Sequence, residues 1–151
     1  MKYFSGDVSG VIAESLFVYI ASRCCHIDIN SIIHLRPEKS RYLTPDFVVE
    51  GKNNVRNLLN CMCCLPEVLD WSLLFVECKG FASNINPDRI WRGLGQLVEV
   101  LNHDYIGMLF IVWNRGGQGY ATYTISIIYH NSKVEHVELR DALLSHERER
   151  L

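Results

Sequence analysis

The chain has 151 residues, of which 48% are hydrophobic and 21% charged, and its formal net charge is −2. This composition fits one compact domain with an ordinary core and excludes a disordered chain. The net charge also excludes the strongly basic surface of proteins that bind nucleic acid by charge alone. Any contact with nucleic acid therefore requires a local patch or bound metal ions.

No apolar run is long enough to cross a bilayer, and the first residues lack the basic and apolar regions of a signal peptide. We therefore expect an intracellular, cytoplasmic protein with no membrane contact. In that compartment the six cysteines are expected to be thiols. Cys61 and Cys64 form a CxxC motif that could bind zinc together with Cys25 and His26, but no second CxxC supports this. The favoured interpretation is that these cysteines serve as small, buried apolar residues on a helix.

The first periodic segment, residues 9–25, is predicted to be a helix whose N-terminus is capped by Asp7 or Ser9. Apolar residues surround almost the whole helix, which indicates burial. Glu14 is the exception. A carboxylate among apolar neighbours is costly unless a cation or hydrogen-bond donors meet it.

Two short β-rich segments follow at residues 31–35 and 42–50, and they are predicted to pair as an antiparallel hairpin. Pro45 cannot donate a hydrogen bond to a neighbouring strand, so it belongs at the start or edge of its strand. Asp46 and Glu50 share one face of that strand. Residues 53–65 carry apolar residues at helical spacing and are predicted to be a helical insertion.

The strongest strand signal is the apolar run at residues 71–78, which leads directly into the charged sequence Glu77-Cys78-Lys79. Side chains alternate along a strand, so Glu77 and Lys79 are predicted to project together while Cys78 points into packing. A surface ion pair contributes little to stability, and the short motif alone is a weak signal.

A helix is predicted over residues 87–102, with Asn86 as its cap and Pro87 at its first position. Gly93 and Gly95 each weaken this helix by about 1 kcal/mol relative to alanine, and close approach to another group would be one reason to keep them. The polar side of the helix carries three residues of interest: Arg89, Arg92 and Gln96.

An apolar strand at 107–113 follows, so that strand, helix and strand predict a parallel right-handed crossover. Further β-rich segments are expected at 121–129 and 134–137, with a charged final helix at 139–148. The fold class is therefore α/β or α+β, with a central mixed sheet flanked by helices. No linker divides the chain, so residues 1–151 are expected to form one domain.

Taken together, the candidate residues resemble the signature of the PD-(D/E)XK nuclease superfamily, which has the restriction-endonuclease-like fold. The residues that carry this resemblance are Glu14, Pro45, Asp46, Glu77, Cys78, Lys79 and Gln96. The resemblance implies an αβββαβ core, here about residues 7–113, with a β-rich C-terminal extension over about 115–151. A second Pro-Asp pair, Pro87-Asp88, follows the ExK motif and starts a helix, so it is excluded from the signature.

The resemblance implies a divalent-metal-dependent nuclease that uses Mg²⁺ or Mn²⁺, with DNA rather than RNA as the expected substrate. Hydrolysis of a phosphodiester develops negative charge that hard cations offset, and carboxylates hold such cations best. By resemblance, Asp46, Glu77 and the backbone carbonyl of Cys78 bind the metal. Lys79 assists the attacking water, and Glu14 binds a second metal.

The resemblance further implies that Gln96 positions Lys79, water or the substrate backbone. Arg89 and Arg92 are candidates for contact with phosphate groups. An exposed strand or the final helix could support a homodimer. Trp91 and Trp113 are more typical of a core or an interface than of base stacking.

Two other functions remain open. The first is a catalytically inactive nuclease-fold module that binds nucleic acid or a protein partner. The second is a zinc-stabilised interaction module built around Cys61 and Cys64.

Overall fold

The computed structural model describes residues 3–35, 45–62, 71–100, 105–114, 120–130 and 133–141. Within these ranges the chain forms three α-helices: α1 (Tyr3–Tyr19), α2 (Lys52–Met62) and α3 (Pro87–Val100). It also forms six strands: β1 (Ile32–His34), β2 (Phe47–Glu50), β3 (Leu73–Phe81), β4 (Tyr105–Asn114), β5 (Tyr120–His130) and β6 (Lys133–Asp141). A π-type segment, Ile20–Cys24, continues α1, and a 3₁₀ turn, Ile29–Ser31, precedes β1.

All six strands belong to one sheet, in the order β1-β2-β3-β4-β5-β6. Strands β3 and β4 are parallel and are joined through α3, as the strand–helix–strand pattern predicts. The other neighbouring pairs are antiparallel. The predicted mixed α/β architecture, with a mixed sheet flanked by helices, is therefore confirmed.

The main core lies between the sheet and the helices α1 and α2. Phe17 of α1 is fully buried there, with its ring 5.3 Å from that of Phe47 and 5.6 Å from that of Phe110. On the opposite face of the sheet, Leu97 of α3 packs in a smaller cluster with Leu109 of β4. Each face of β3 is therefore covered by helix, which explains why its sequence is an almost continuous apolar run.

Gly93 allows α3 to lie close to the sheet. A Cβ atom at this position would be 2.7 Å from Leu109 Cδ1 and 3.2 Å from Lys79 Cε. A Cβ atom at Gly95 would have no atom within 4 Å, because Gly95 lies on the exposed side of the helix. Close approach therefore explains the first glycine, while nothing in the structure explains the second.

Most predicted elements are present with shifted ends. The first helix begins at Tyr3, before both predicted caps, and the hairpin strands shorten to Ile32–His34 and Phe47–Glu50. The predicted residues 42–44 and 63–65 lie outside the described residues. In the described part of the chain, no helix is long and apolar enough to span a membrane.

The prediction for the end of the chain is wrong where it can be compared. Leu139–Asp141 was expected to begin a helix, but these residues complete strand β6, which pairs with β5 along its length. Residues 137–140 alternate between apolar and polar side chains, as a strand requires. Together with the long pairing with β5, this pattern outweighs local helix propensity. The rest of the predicted final helix lies outside the described residues.

The expectation of free thiols is also wrong for two cysteines. Cys25 and Cys61 form a disulfide, with Cα atoms 5.6 Å apart. The pairing arises because the segment after α1 and the end of α2 pack in the same core, on the same face of the sheet. Neither sulfur is then available to zinc, which removes two ligands from the proposed zinc site. Cys24 and Cys78 are free, and Cys64 lies outside the described residues.

The two glycines of α3 provide a matched test of this packing. We expect Gly93→Ala to lower the free energy of unfolding by about 1–2 kcal/mol, because the new methyl group meets Leu109 in a filled core. Gly95→Ala should raise it by about 1 kcal/mol, since only helix propensity changes. Urea denaturation measures both, and equal effects of the two substitutions would contradict the close packing at Gly93.

Candidate metal-binding site at the ends of strands β2 and β3

The site begins where the pairing of β2 with β3 ends. Phe47 is paired with Val76, and the next position along the register brings Asp46 opposite Glu77. Asp46 Oδ2 accepts a hydrogen bond of 2.8 Å from the backbone N–H of Cys78. This bond fixes the Asp46 carboxylate beside the ExK segment, as the sequence predicts.

Pro45 explains why this end of the ladder is open. The Asp46 carbonyl accepts from Leu35 N at 2.8 Å, on the β1 side, so the next β2 residue to face β3 is Pro45. Proline has no N–H and cannot donate to the carbonyl of Cys78 opposite it. The N–H and carbonyl of one strand residue point to the same side, so the Cys78 carbonyl is directed towards β2, where Asp46 lies.

Glu77 and Lys79 project together from β3, as strand alternation predicts. Lys79 Nζ lies 3.1 Å from Glu77 Oε2, and only 16% of the Lys79 side chain and 4% of the Glu77 side chain are exposed. Cys78 points to the opposite face and is buried in the core under α1. The contact between Lys79 and Glu77 is thus nearly enclosed, under the helix α3 that passes over Lys79 at Gly93.

Glu77 is a carboxyl group in an unfavourable place for a charge. Burial, and next the charge and hydrogen bonding of neighbouring Asp46, raise the pKa of Glu77 to about 8, and Lys79 offsets this only in part. Among the described residues, no group donates a hydrogen bond to Glu77 Oε1, which is buried. Glu77 is therefore largely protonated at neutral pH when no cation is bound, and one of its oxygens is open to a ligand.

Three carboxylates act on Cys78. Burial raises the pKa of its thiol well above the ordinary value, and the charges of Asp46, Glu77 and Glu14 raise it further. Asp46 is held at the end of β3 by its hydrogen bond from the Cys78 N–H, and Glu77 is the residue before Cys78 in that strand.

Glu14 nevertheless lies on the other face of the sheet from Glu77 and Lys79. It projects from α1, and its Oε1 accepts a hydrogen bond of 2.8 Å from Nε2 of His34. The ring of His34 lies 5.0 Å from that of Phe47. The sequence alone does not single out His34, because the histidines of the chain show no metal-ligand spacing. Its position opposite Phe47 in the hairpin was the available signal.

The two arginines of α3 differ in their surroundings. Arg89 donates from Nη1 to the Gly80 carbonyl at 2.9 Å, and its guanidinium lies 4.8 Å from the ring centroid of Phe81. Through these two contacts Arg89 links the start of α3 to the end of β3. Arg92 is exposed to solvent. Gln96 is half-buried, with its Oε1 inaccessible to solvent. At seven residues from Arg89, Gln96 lies on the same flank of the helix.

The donors around Glu77 fit a hard divalent cation. Two carboxylates and one backbone carbonyl are oxygen ligands of the type that Mg²⁺ and Mn²⁺ prefer. In the described part of the chain, no group of three His, Cys, Asp or Glu side chains is arranged to hold a metal ion. The two carboxylates and the carbonyl suit Mg²⁺, which typically binds one or two carboxylates and keeps several waters.

Comparisons of the chain with protein-family models, with curated proteins and with solved structures find no match.

The raised pKa of Glu77 has a consequence for stability. The unfolded chain ionises this residue from its ordinary value of 4.5, whereas the folded chain keeps the proton to about pH 8. Between these values the folded state binds more protons, so the free energy of unfolding falls as the pH rises. We expect Glu77→Gln to remove this fall, a difference of about 2–4 kcal/mol between pH 5 and pH 8.

Urea denaturation at a series of pH values measures this effect in the absence of metal. Glu50→Gln serves as the matched control, because Glu50 is an exposed carboxyl on the neighbouring strand. Parallel pH profiles for the wild type and Glu77→Gln would contradict a buried, protonated Glu77.

Proposed function

We propose that the protein is a divalent-metal-dependent nuclease that hydrolyses phosphodiester bonds at the ends of β2 and β3. The observation that carries the proposal is the hydrogen bond of 2.8 Å from Cys78 N–H to Asp46 Oδ2. It joins two segments that are 32 residues apart in the sequence and holds Asp46 beside Glu77 and Lys79. A structural ion pair alone does not require this second carboxylate.

Asp46, Glu77 and the Cys78 carbonyl would hold the metal, and their oxygen chemistry fits Mg²⁺ or Mn²⁺. A metal bound there would supply charge neutralisation at the phosphate and lower the pKa of a bound water. Glu77 must release its proton to serve as a ligand, so its raised pKa of about 8 links metal binding to pH. Asp46 keeps its orientation through its bond to the Cys78 N–H.

Lys79 is the cation of the site. Its ammonium lies 3.1 Å from Glu77 Oε2 and is held between β3 and α3. Positioned near a phosphate, a lysine stabilises the negative charge that develops during hydrolysis and orients the attacking water. When the Glu77 carboxylate binds a metal ion, Lys79 is no longer its main partner and is available for this role.

The substrate is proposed to be nucleic acid, and the preference for DNA rests on the resemblance alone. Arg92 is exposed on the helix above the site and can contact a phosphate of the substrate backbone. The element order and the mixed sheet agree with the αβββαβ core that the resemblance implies. That agreement supports the proposal at the level of architecture.

A second candidate function is a non-catalytic module that binds nucleic acid. The enclosed pair of Lys79 with Glu77 favours it, because Lys79 is already engaged when no metal is present. The two functions differ in whether substrate is cut, so a cleavage assay separates them.

We expect the purified protein to cleave linear, branched or single-stranded DNA in Mg²⁺ or Mn²⁺ and to lose this activity in chelator. Asp46→Ala and Lys79→Ala should each reduce the cleavage rate by at least about 100-fold, because each removes a group that acts on the reacting phosphate. RNA is included as a competing substrate, and gel electrophoresis of labelled strands measures the rate.

Asp88→Ala is the matched control for Asp46→Ala, since Asp88 also follows a proline but is exposed at the start of α3. It should cleave as the wild type does. Cleavage that survives both Asp46→Ala and Lys79→Ala would refute the site. A folded protein that binds DNA without cutting it would favour the non-catalytic module.

Metal affinity should depend on pH. We expect the affinity for Mn²⁺ to rise as the pH increases from 6 to 8, by up to about tenfold per pH unit, because below pH 8 the metal must displace the Glu77 proton. Glu77→Gln should bind Mn²⁺ more weakly and with less pH dependence. Isothermal titration calorimetry measures both, and a pH-independent affinity in the wild type would exclude Glu77 as a ligand.

A further inference from the structure

A groove lies on the α1 face of the sheet, opposite to the side occupied by Glu77 and Lys79. Its volume is about 570 Å³, within the range of pockets that bind small organic molecules. Val11 and Val18 of α1 form one wall, and Ile32 of β1 and Phe47 of β2 form the other. These side chains make an apolar channel between the first helix and the first two strands.

A hydrogen-bonded pair and the side chain of Ser15 supply the polar groups of this groove. Glu14 and His34 both line it, and they are joined by the 2.8 Å bond between Oε1 and Nε2. Their side chains remain partly exposed, Glu14 at 28% and His34 at 42%, so a ligand can reach them. An apolar channel with a few convergent polar groups is the usual form of a ligand site.

The groove reaches the same strand ends as the proposed cleavage site, but on the other face of the sheet. Phe47, which forms part of its wall, directly follows Asp46 in β2. His34, which supplies one polar group of the groove, is paired with Phe47 in the hairpin and so lies beside the same strand end. A nucleotide whose phosphate lies at Asp46 can therefore place a neighbouring base on the other side of the strand ends.

We propose that this groove binds one unstacked nucleobase of the substrate, next to the phosphate that is cleaved. The proposal rests on the proposed nuclease function and adds a base-binding subsite to it. The apolar walls fit the faces of a planar base and reject the charged phosphate and the hydrated sugar. Glu14 and His34 contact the polar edge of the base.

The carboxylate of Glu14 determines which bases are preferred. A carboxylate accepts hydrogen bonds, so it favours bases that present an amino group. Adenine, cytosine and guanine carry exocyclic amino donors, whereas the one edge donor of thymine, its N3–H, is flanked by two carbonyl oxygens that a carboxylate repels. We therefore infer that the groove discriminates against thymine.

The first test uses nucleosides, which carry no phosphate, in the presence of chelator. Adenosine, cytidine and guanosine should shift the methyl NMR signals of Val11 and Ile32 in the full-length protein, and thymidine should shift them at least about fivefold less at equal concentration. Val11→Trp should abolish the shifts at Ile32, because the indole fills the groove. Val11 is 58% exposed, so the larger side chain is accommodated.

The matched control is Arg23→Trp, which places the same indole at an exposed position just after α1, away from the residues that line the groove. It should bind nucleosides as the wild type does. Circular dichroism verifies that each variant folds, and His34→Ala is the second variant if Val11→Trp does not. Absence of shifts from all four nucleosides, or equal shifts in the wild type and Val11→Trp, would overturn the proposal.

The second test measures binding of labelled octamers of dA, dC and dT to the metal-free protein by fluorescence anisotropy. We expect Val11→Trp to weaken binding of dA and dC by at least about tenfold. Glu14→Gln should retain binding but lose the preference over dT, a change in base order that a purely structural role of Glu14 does not produce. An unchanged base order in Glu14→Gln would refute the role of its carboxylate.

The experiments distinguish a failure of the proposed nuclease function from a failure of the proposed base subsite. Cleavage that depends on Asp46 but is unaffected by filling the groove would refute the base subsite alone. Nucleoside binding that Val11→Trp abolishes, in a protein that cleaves no nucleic acid, would refute the nuclease function and leave the groove as a nucleobase site.

Discussion

The hydrogen bond between the Cys78 N–H and Asp46 is the interaction on which the candidate site depends. The bond forms where the ladder between β2 and β3 ends, one residue beyond the pair of Phe47 with Val76. Pro45 has no N–H to continue that ladder, so the carbonyl of Cys78 opposite it receives no backbone hydrogen bond from this residue. The backbone N–H of Cys78 donates to the side chain of Asp46.

The site also shows how burial and charge are balanced. Glu77 and Asp46 are two acidic groups in contact in a region that excludes water, and one cation does not neutralise both. The remaining charge is removed by a proton in the metal-free protein. A divalent cation would replace that proton and satisfy the open oxygen of Glu77. The arrangement is therefore less stable than an apolar one would be, which is characteristic of residues kept for binding.

Much of this arrangement could be predicted from residue types and alternation. The Pro-Asp pair, the projection of Glu77 with Lys79 and the inward Cys78 all follow from strand geometry, which is local. The partner of Glu14 could not be predicted, because it depends on how α1 crosses the sheet. The same holds for the disulfide of Cys25 with Cys61, which joins two helical segments through tertiary packing. The end of strand β6 departs from the predicted helix because pairing with β5 outweighs local propensity.

The disulfide has a consequence for how the chain positions the two carboxylates of the site, Asp46 and Glu77. Its two cysteines are 36 residues apart, and the loop that they close contains β1, β2 and Asp46, whereas Glu77 and Lys79 lie outside it. Closing a loop of this length removes chain entropy from the unfolded state. Asp46 therefore reaches the site from a covalently closed segment, and Glu77 from an open one. The oxidation state of two distant sulfur atoms sets how firmly one carboxylate of the pair is tethered.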